Sequence, residues 1–330
     1  MEIRFAKVTE IPLIMRFIDE YWKKNHILAT NKELFEWQYV FDNKVNYVIG
    51  IDNNNEILGV LGYILYSEKD VQDICLALWK AKEGTGFLGI KLLMYLTKEI
   101  PHRSIFCNGI NLKTTEDIYK RAGFQIGELE QWYRLSNKIT DYKIAKVVDK
   151  TIISTEKNYD IILSKVTSIE EINEICDSSI FDKESLPYKS ALYFEMRYLN
   201  HPIYEYDVYA VSFNNEAAKA LLVLRTQCCN DAKAIRIVDF VSRDKDLLYK
   251  CSNAIDKLIE DTDAEYADMY EFGLSGELLE KSGWSKVGND SNIIPNYFSP
   301  FEQKNVQIFI STTDDNIVIF KGDGDQDRPN

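Results

Sequence analysis

The stretch LALWKAKEGTGFLGIKLLMYL, residues 76–96, holds an apolar segment, a turn with three glycines and a second apolar segment. We interpret the three parts as a strand, a turn and a helix that continues to about Lys98. Glycines let the backbone approach a ligand closely, and the N-terminus of the helix directs unpaired N–H groups and a positive dipole outward. The stretch therefore predicts an anion site at Gly84, Gly86 and Gly89.

A second informative stretch, GINLKTTEDIYKRAGF, follows at residues 109–124. It predicts a helix over 115–121 that carries Tyr119 and is closed by Gly123. Outward from these two stretches, the pattern predicts strands and helices in a definite order. The predicted segments are a strand at 2–8, a helix at 10–23 with an apolar stripe through Ile11, Ile14, Met15 and Ile18, a helical turn at 34–41, a hairpin of 47–51 with 57–66, and strands at 73–82, at 104–108 and on to about Leu135.

The chain also contains an internal repeat, which favours two domains of about 150 residues each. The matching blocks are Lys7-Val8-Thr9 with Lys165-Val166-Thr167, Phe35-Glu36-x-x-Tyr39 with Phe194-Glu195-x-x-Tyr198, Asn54-Asn55-Glu56 with Asn214-Asn215-Glu216, and Gly123-Phe124 with Gly283-Trp284. Their offsets drift only from 158 to 160. We predict one domain over residues 1–145 and a second over 146–330, with the same succession of elements running from about Tyr159 to Ile310.

The order β-α-α-β-β-β-α-β-α-β-β, with the stretches at 76–96 and 109–124, resembles the GNAT acetyltransferase fold. The resemblance implies an α/β (α+β) protein of two tandem GNAT folds, each a mixed, mostly antiparallel twisted sheet flanked by helices. It also implies a co-substrate, acetyl-CoA or another short acyl-CoA, with its pyrophosphate on the backbone of the glycine turn. The residues expected to contact it are Leu78, Lys80, Lys82, Gly84, Thr85, Gly86, Phe87, Leu88, Gly89 and Asn111.

The same resemblance assigns the catalytic groups. Backbone N–H groups near Leu78 to Lys80 are expected to stabilise the tetrahedral oxyanion, and Tyr119 is expected to give a proton to the departing thiolate. Two residues are candidates for the general base: His26 in the loop after the first helix and Glu83 at the end of the strand. The alternative for each is a solvated side chain without a catalytic role. The family's usual cation ahead of the glycines is missing here.

The acceptor site is expected to include Trp37, Gln38, Tyr39 and Trp79, because flat aromatic rings stack on sugars or bases, with core packing as the alternative. The ending IVIFKGDGDQDRPN resembles that of GNAT-type acyltransferases of bacterial surface-polysaccharide pathways. This segment adds Arg328 to the candidate acceptor-binding residues. That resemblance implies a nucleotide-linked deoxyamino sugar as acceptor, in lipopolysaccharide or O-antigen biosynthesis. A frayed terminus and part of a calcium loop are the competing interpretations of the tail.

The second domain is predicted to bind no acyl-CoA. At an offset of 160, the glycine turn corresponds to Asp244–Tyr249, which has no glycine and carries two carboxylates, and Tyr119 corresponds to Leu279. We therefore expect this domain to complete the acceptor site or to support the architecture.

Composition sets outer limits on function. The net charge of −13 argues against binding to nucleic acid or an anionic membrane surface. The first residues do not have the pattern of a signal peptide, so we predict a cytoplasmic protein. The six cysteines and three histidines lack the spacing of a metal site, so we predict no bound metal. A homodimer is the default expectation. A GNAT acetyltransferase of a peptide or protein amine, or a non-catalytic CoA-binding protein, remains the alternative to sugar N-acylation.

Overall fold

A computed structural model describes residues 1–150, 160–213 and 216–329. The first half contains β1 Glu2–Phe5, α1 Ile11–Tyr21, α2 Ile27–Thr30, α3 Lys32–Tyr39, β2 Val40–Phe41, β3 Lys44–Val45, β4 Tyr47–Ile51, β5 Ile57–Leu65, β6 Gln72–Ala81, α4 Leu88–Glu99, β7 His102–Asn108, α5 Leu112–Arg121 and β8 Gln125–Leu135. The second half contains β9 Ile161–Val166, α6 Ile169–Ile175, α7 Ala191–Phe194, β10 Asp207–Phe213, β11 Ala220–Cys229, β12 Ala232–Val241, α8 Leu247–Lys250, α9 Ser252–Asp261, β13 Ala264–Phe272, α10 Gly276–Lys281, β14 Ser285–Lys286, β15 Tyr297–Phe298, β16 Phe301–Glu302, β17 Ile308–Thr312 and β18 Ile319–Phe320.

The predicted fold class is confirmed, and the predicted order of elements agrees with the structure as far as the last helix of each half. The two final strands predicted for the first half are a single strand, β8. The apolar stripe of α1 is buried at Ile11, Ile14 and Ile18, where it packs on the sheet. The repeat is real, but one of its four sequence matches is out of register. Phe5 pairs with Val48 in the first half and Val166 pairs with Val208 in the second, so the structural equivalent of Val166 is close to Phe5 and not Val8. The match at Asn214 and Asn215 lies outside the described residues.

One sheet runs through both halves. Within the described residues its main path has the order β1-β4-β5-β6-β7-β17-β8-β13-β12-β11-β10-β9. The pairs β6–β7 and β12–β13 are parallel, and the other pairs along the path are antiparallel, as expected for a mixed sheet. Helix α4 covers one face of the first half, where Leu88, Leu92 and Leu96 are fully buried.

The two halves exchange strands. β17, from the end of the chain, lies between β7 and β8 of the first half. β8 pairs with β17 through Gln125–Leu129 and with β13 of the second half through Glu130–Leu135. The boundary at 145/146 remains a prediction, and three strand pairs along the path of the sheet join the two halves: β7–β17, β17–β8 and β8–β13.

Each parallel pair diverges and opens a V-shaped cleft. β6 and β7 pair as far as Leu76 and Cys107, and β12 and β13 as far as Ile237 and Met269. The first cleft is open, whereas the chain's own C-terminal segment fills the second. There β18 pairs with β13, and the Gly322 N–H donates to the Val238 carbonyl at 2.7 Å.

The C-terminal tail, residues 319–329, is therefore an integral part of the core. A Cβ at Gly322 would lie 2.6 Å from the Val238 oxygen, so only glycine fits this close approach. The interpretation as a frayed terminus is wrong, because Asp323, Asp325 and Asp327 are all buried. No helix among the described residues is long and apolar enough to cross a membrane.

Candidate functional site

The first cleft has a volume of about 820 Å³ and lies between β6, the glycine turn, the start of α4, the end of β7, and α5. It is lined by most of the residues that the sequence assigned to acyl-CoA. These are Leu78, Lys80, Lys82, Gly84, Thr85, Gly86, Phe87, Gly89 and Asn111. The structure thus brings together residues that are more than 30 positions apart in the sequence.

The glycine turn ends in a helix whose N-terminus has no side-chain cap. Gly84 and Gly86 have φ of +78° and +62°, values that residues with a Cβ rarely adopt. Phe87 stands at the N-cap of α4 without a capping hydrogen bond, and the helical ladder begins with Lys91 N–H to the Phe87 carbonyl. The N–H groups of the first turn of α4 are therefore orphan donors, as an anion site requires.

Leu88 differs from the other predicted cofactor residues. Its side chain is fully buried beneath the turn and sits over Gly50 and Gly59, where an added Cβ would approach it to 2.7 and 3.0 Å. The two glycines on β4 and β5 make room for Leu88 and so fix the position of the start of α4. Leu88 is not among the residues that line the cleft, so its side chain is a packing element.

β6 has a β-bulge at the place where the cleft begins. Leu61 pairs with Trp79 and Tyr63 pairs with Leu76, so that two residues, Ala77 and Leu78, stand opposite Gly62. A bulge turns backbone groups out of the regular ladder. Both bulge residues line the cleft, which agrees with the predicted location of the oxyanion donors.

Tyr119 lies in this cleft on α5. Its side chain is only 2% exposed, and its ring contacts Trp79 and Phe124 edge-on. Burial, together with the neighbouring Cys107 thiol, raises the pKa of the phenol well above its ordinary value. Tyr119 is therefore neutral at pH 7 and keeps a proton to donate.

His26 is adjacent to the cleft and does not line it. The imidazole is buried and accepts from the Leu28 N–H at Nδ1, while Nε2 lies 3.4 Å from Arg328 Nη2. Burial, with the positive charges of Arg328 and Lys23, lowers the pKa of His26 to about 4. Its structural role is to cap α2.

The low pKa of His26 predicts a loss of stability in mild acid. The unfolded chain takes up a proton near pH 6.5 and the folded protein only near pH 4, so the free energy of unfolding falls as the pH is lowered between these values. We expect His26→Asn, which keeps a capping side chain, to flatten this dependence in urea titrations at pH 7 and pH 5. An unchanged slope would contradict the assignment. His201, with a pKa of about 3, contributes a similar slope that the variant retains.

Glu83, the rival base, is in the exposed turn at the mouth of the cleft. The acceptor candidates separate into three places. Trp79 and Arg328 line the cleft. Trp37 and Gln38 line a second, largely apolar cavity of about 70 Å³ between α3, β5 and the second half. Tyr39 is fully buried against Tyr47, so its side chain belongs to the core.

The tail contributes groups to the cleft that sequence reasoning missed. Asp325 and Gln326 line it beside Arg328, and so do Cys107 and Asn108 at the end of β7. The aspartates of the tail are each paired with a cation: Asp323 with Lys189 at 2.9 Å, Asp325 with Arg328 at 2.8 Å, and Asp327 with Arg225 at 2.6 Å. In the sequence, the only sign of these pairs was that an aspartate stands at every second position, and this pattern does not identify the cations. Among the described residues, no cluster of three or more His, Cys, Asp or Glu side chains could hold a metal ion.

No protein-family model matches the sequence, and neither does any curated protein. Solved structures do match. A GCN5-related N-acetyltransferase from Anabaena variabilis aligns with 94% of this chain and 72% of its own, at 10% identity and a TM-score of 0.57. A probable N-acyltransferase from Enterococcus faecalis aligns over the same shares at 8% identity and a TM-score of 0.56.

A third match is a GCN5-related glucosamine N-acetyltransferase region in a fungal multi-domain β-N-acetylglucosaminidase. It covers 94% of this chain and 38% of the fungal one, at 9% identity and a TM-score of 0.52. Since each alignment includes both halves of the chain, the whole molecule has the tandem GNAT fold. At such low identity the likeness concerns the fold.

Proposed function

We propose that this protein is an acyl-CoA-dependent N-acyltransferase with one working cleft, in its first half. The observation that carries the proposal is the meeting of the uncapped start of α4, the bulge of β6 and the buried Tyr119 in one cleft. Its volume of about 820 Å³ is suitable for a large ligand. Proteins of this fold provide a precedent, since the A. variabilis structure is described as a GCN5-related N-acetyltransferase and the E. faecalis structure as a probable N-acyltransferase.

The cleft fits acyl-CoA at both of its ends. The turn from Thr85 to Gly89 would receive the pyrophosphate, with Lys82 and Arg121 as nearby cations. Leu78, Ile90 and Ile110 give an apolar wall for the chain that leads to the thioester. Tyr119 would then protonate the thiolate, and backbone N–H groups at the bulge would stabilise the oxyanion.

We propose that the second half has no acyl-CoA site, because among its described residues the tail occupies the corresponding cleft. Val238, on the bulge of β12, is hydrogen-bonded to Gly322, and Phe320 is packed into the apolar core with Leu247 and Leu248. A ligand would have to displace residues that are buried in the core. We propose that the second half supports the first and supplies the tail.

The acceptor that we propose is the amine of a nucleotide-linked deoxyamino sugar, for lipopolysaccharide or O-antigen biosynthesis. The resemblance of the chain ending supports this acceptor, and the tail that carries the resemblance reaches the cleft with Arg328. The glucosamine N-acetyltransferase region among the structures of this fold is a precedent for an amino-sugar acceptor. Trp37 and Gln38 in the neighbouring cavity are available to contact the acceptor.

A thiol-release assay tests the proposal. Acetyl-CoA and short hydroxyacyl-CoAs are crossed with nucleotide-linked amino sugars, peptides and buffer alone. We expect thiol release above the buffer rate with an amino sugar. This release should be lost in Gly86→Asp, because the variant places a carboxylate in the glycine turn at a residue with φ of +62°. Binding of CoA without release for any acceptor would overturn the transferase proposal, and release with peptides alone would overturn the sugar acceptor.

A further inference from the structure

The lining of the cleft includes three carboxylates among the described residues: Glu83, Asp117 and Asp325. Glu83 and Asp117 are exposed at its mouth. Asp325 is only 7% exposed and lies with Cys107 and Asn108 at the cleft apex, which we define as the point beyond the last β6–β7 pair, Leu76 with Cys107. Burial of a charge is costly without a partner, and among the described residues the charged partner of Asp325 is Arg328.

The tail is held at the apex by contacts on both sides of Asp325. The Asn108 amide donates to the Asp323 carbonyl at 3.1 Å, and the Gln326 amide donates to the Asn108 carbonyl at 3.1 Å. The Gly324 N–H donates to the Tyr66 hydroxyl at 2.8 Å. Gly324 has φ of +68°, and an added Cβ would lie 2.6 Å from Cys75 Sγ, so the chain passes directly against β6. These contacts fix the position of Asp325.

Arg328 orients the carboxylate without enclosing it. The guanidinium holds Asp325 Oδ2 at 2.8 Å and donates to the Asp325 backbone carbonyl at 2.6 Å. No hydrogen bond to Oδ1 is formed within the described part of the chain. Asp325 and Tyr119 border the same cavity, and Cys107 interacts with both of them. Burial raises the pKa of Cys107 to about 12, and the charge of Asp325 adds to this effect.

We infer that Asp325 binds the amine of the acceptor as an ammonium ion and accepts its proton. This inference rests on the proposed acyl transfer to an amine. It limits the acceptors to aliphatic amines, which are protonated at neutral pH, and it makes a residue from the end of the second half part of the site in the first half. Arg328 is the positioning residue.

The proton balance is complete with these groups. Asp325 takes one proton from the ammonium ion and releases it to solvent. The neutral amine forms the C–N bond at the thioester carbon, and the C–S bond breaks as Tyr119 gives its proton to the thiolate. A second proton of the amine then restores Tyr119, and the third remains on the amide.

The test uses the acceptor that gives the highest thiol release with the wild-type protein. We expect Asp325→Asn to lower kcat/KM by ~10- to 100-fold at pH 7 with unchanged binding of acyl-CoA. The deficit shrinks toward pH 10, where the amine loses its proton without help. Asp325→Glu recovers part of the rate. Asp315→Asn, an exposed carboxylate between β17 and β18, is the matched control.

The outcomes separate the two proposals. If the wild-type protein acylates no amine, the proposed function fails. If it does, and Asp325→Asn keeps the wild-type kcat/KM and pH profile, the inference fails. A further measurement uses only the wild-type protein. The alcohol analogue and an aromatic amine analogue of the acceptor should each react at less than ~1% of the rate measured with the aliphatic amine. Acylation of either analogue at the same rate as the aliphatic amine would overturn the inference.

Discussion

Tyr119→Phe is expected to slow thiol release at least ~100-fold while leaving the Kd for acyl-CoA nearly unchanged. The phenol is 2% exposed in the cleft, and its raised pKa keeps it protonated across the pH range of an assay. Phe keeps the ring contacts with Trp79 and Phe124 and removes the hydroxyl, with its transferable proton and its hydrogen bonds to Cys107 and Ser311. The effect should therefore appear in kcat.

The control for this variant is Tyr63→Phe. Tyr63 is a buried tyrosine of the same apolar cluster, is 4% exposed, and does not line the cleft. We expect wild-type turnover from it, so that a loss in Tyr119→Phe alone identifies the hydroxyl. Stopped-flow single turnovers measure the chemical step, and isothermal titration measures binding. Equal turnover of Tyr119→Phe and wild type would remove Tyr119 from the mechanism.

Lys189→Met is expected to reduce the free energy of unfolding by about 3–5 kcal/mol. Lys189 Nζ lies 2.6 Å from Asp239 and 2.9 Å from Asp323, and both aspartates are fully buried. Without the ammonium group, two neighbouring carboxylates would remain in the core with their charges uncompensated. Urea denaturation at pH 7 gives the difference.

A second substitution isolates the charge effect. Adding Asp323→Asn to Lys189→Met removes one of the two carboxylates, so the double variant should be more stable than the single one. The deficit of the single variant should also shrink in acid, because burial raises the pKa of Asp323 and protonation removes its charge. Lys304→Met, which breaks an exposed pair with Glu302, should cost at most ~0.5 kcal/mol. Equal losses at both lysines would contradict the role of the buried triad.

Those parts of the fold that depend on the spacing of residues within one helix or turn were predictable from the sequence. The glycine turn and the stripe of α1 follow from spacing along a single element, and each is found at the expected residues. The repeat also led to the prediction that the second half binds no acyl-CoA, because Asp244–Tyr249 contains no glycine. In the structure, residues 319–322 occupy the corresponding cleft, which supports this prediction.

The rest depends on long-range pairing that sequence patterns do not specify. Nothing in the residues of β17 indicates that it pairs with β7, some 200 positions earlier, and not with its own half. In the same way, the alternation of aspartates in the tail gave no hint of Lys189 or Arg225 as partners. His26 was a reasonable candidate base by residue type, but its burial and its contact with Arg328 were not visible in the sequence. The acceptor candidates separated because Trp37 and Trp79 lie in different cavities.

The late position of β17 bears on how the protein is made. Translation proceeds at about 5–20 residues per second, so β7 and β8 of a nascent chain wait on the order of ten seconds or more before the strand that joins them emerges. Until then each exposes an unpaired edge, which is a hazard for aggregation. A chain that ends before β17, even with the whole first half intact, would lack the strand that joins β7 to β8. It would also lack Asp325 and Gln326, which line the cleft.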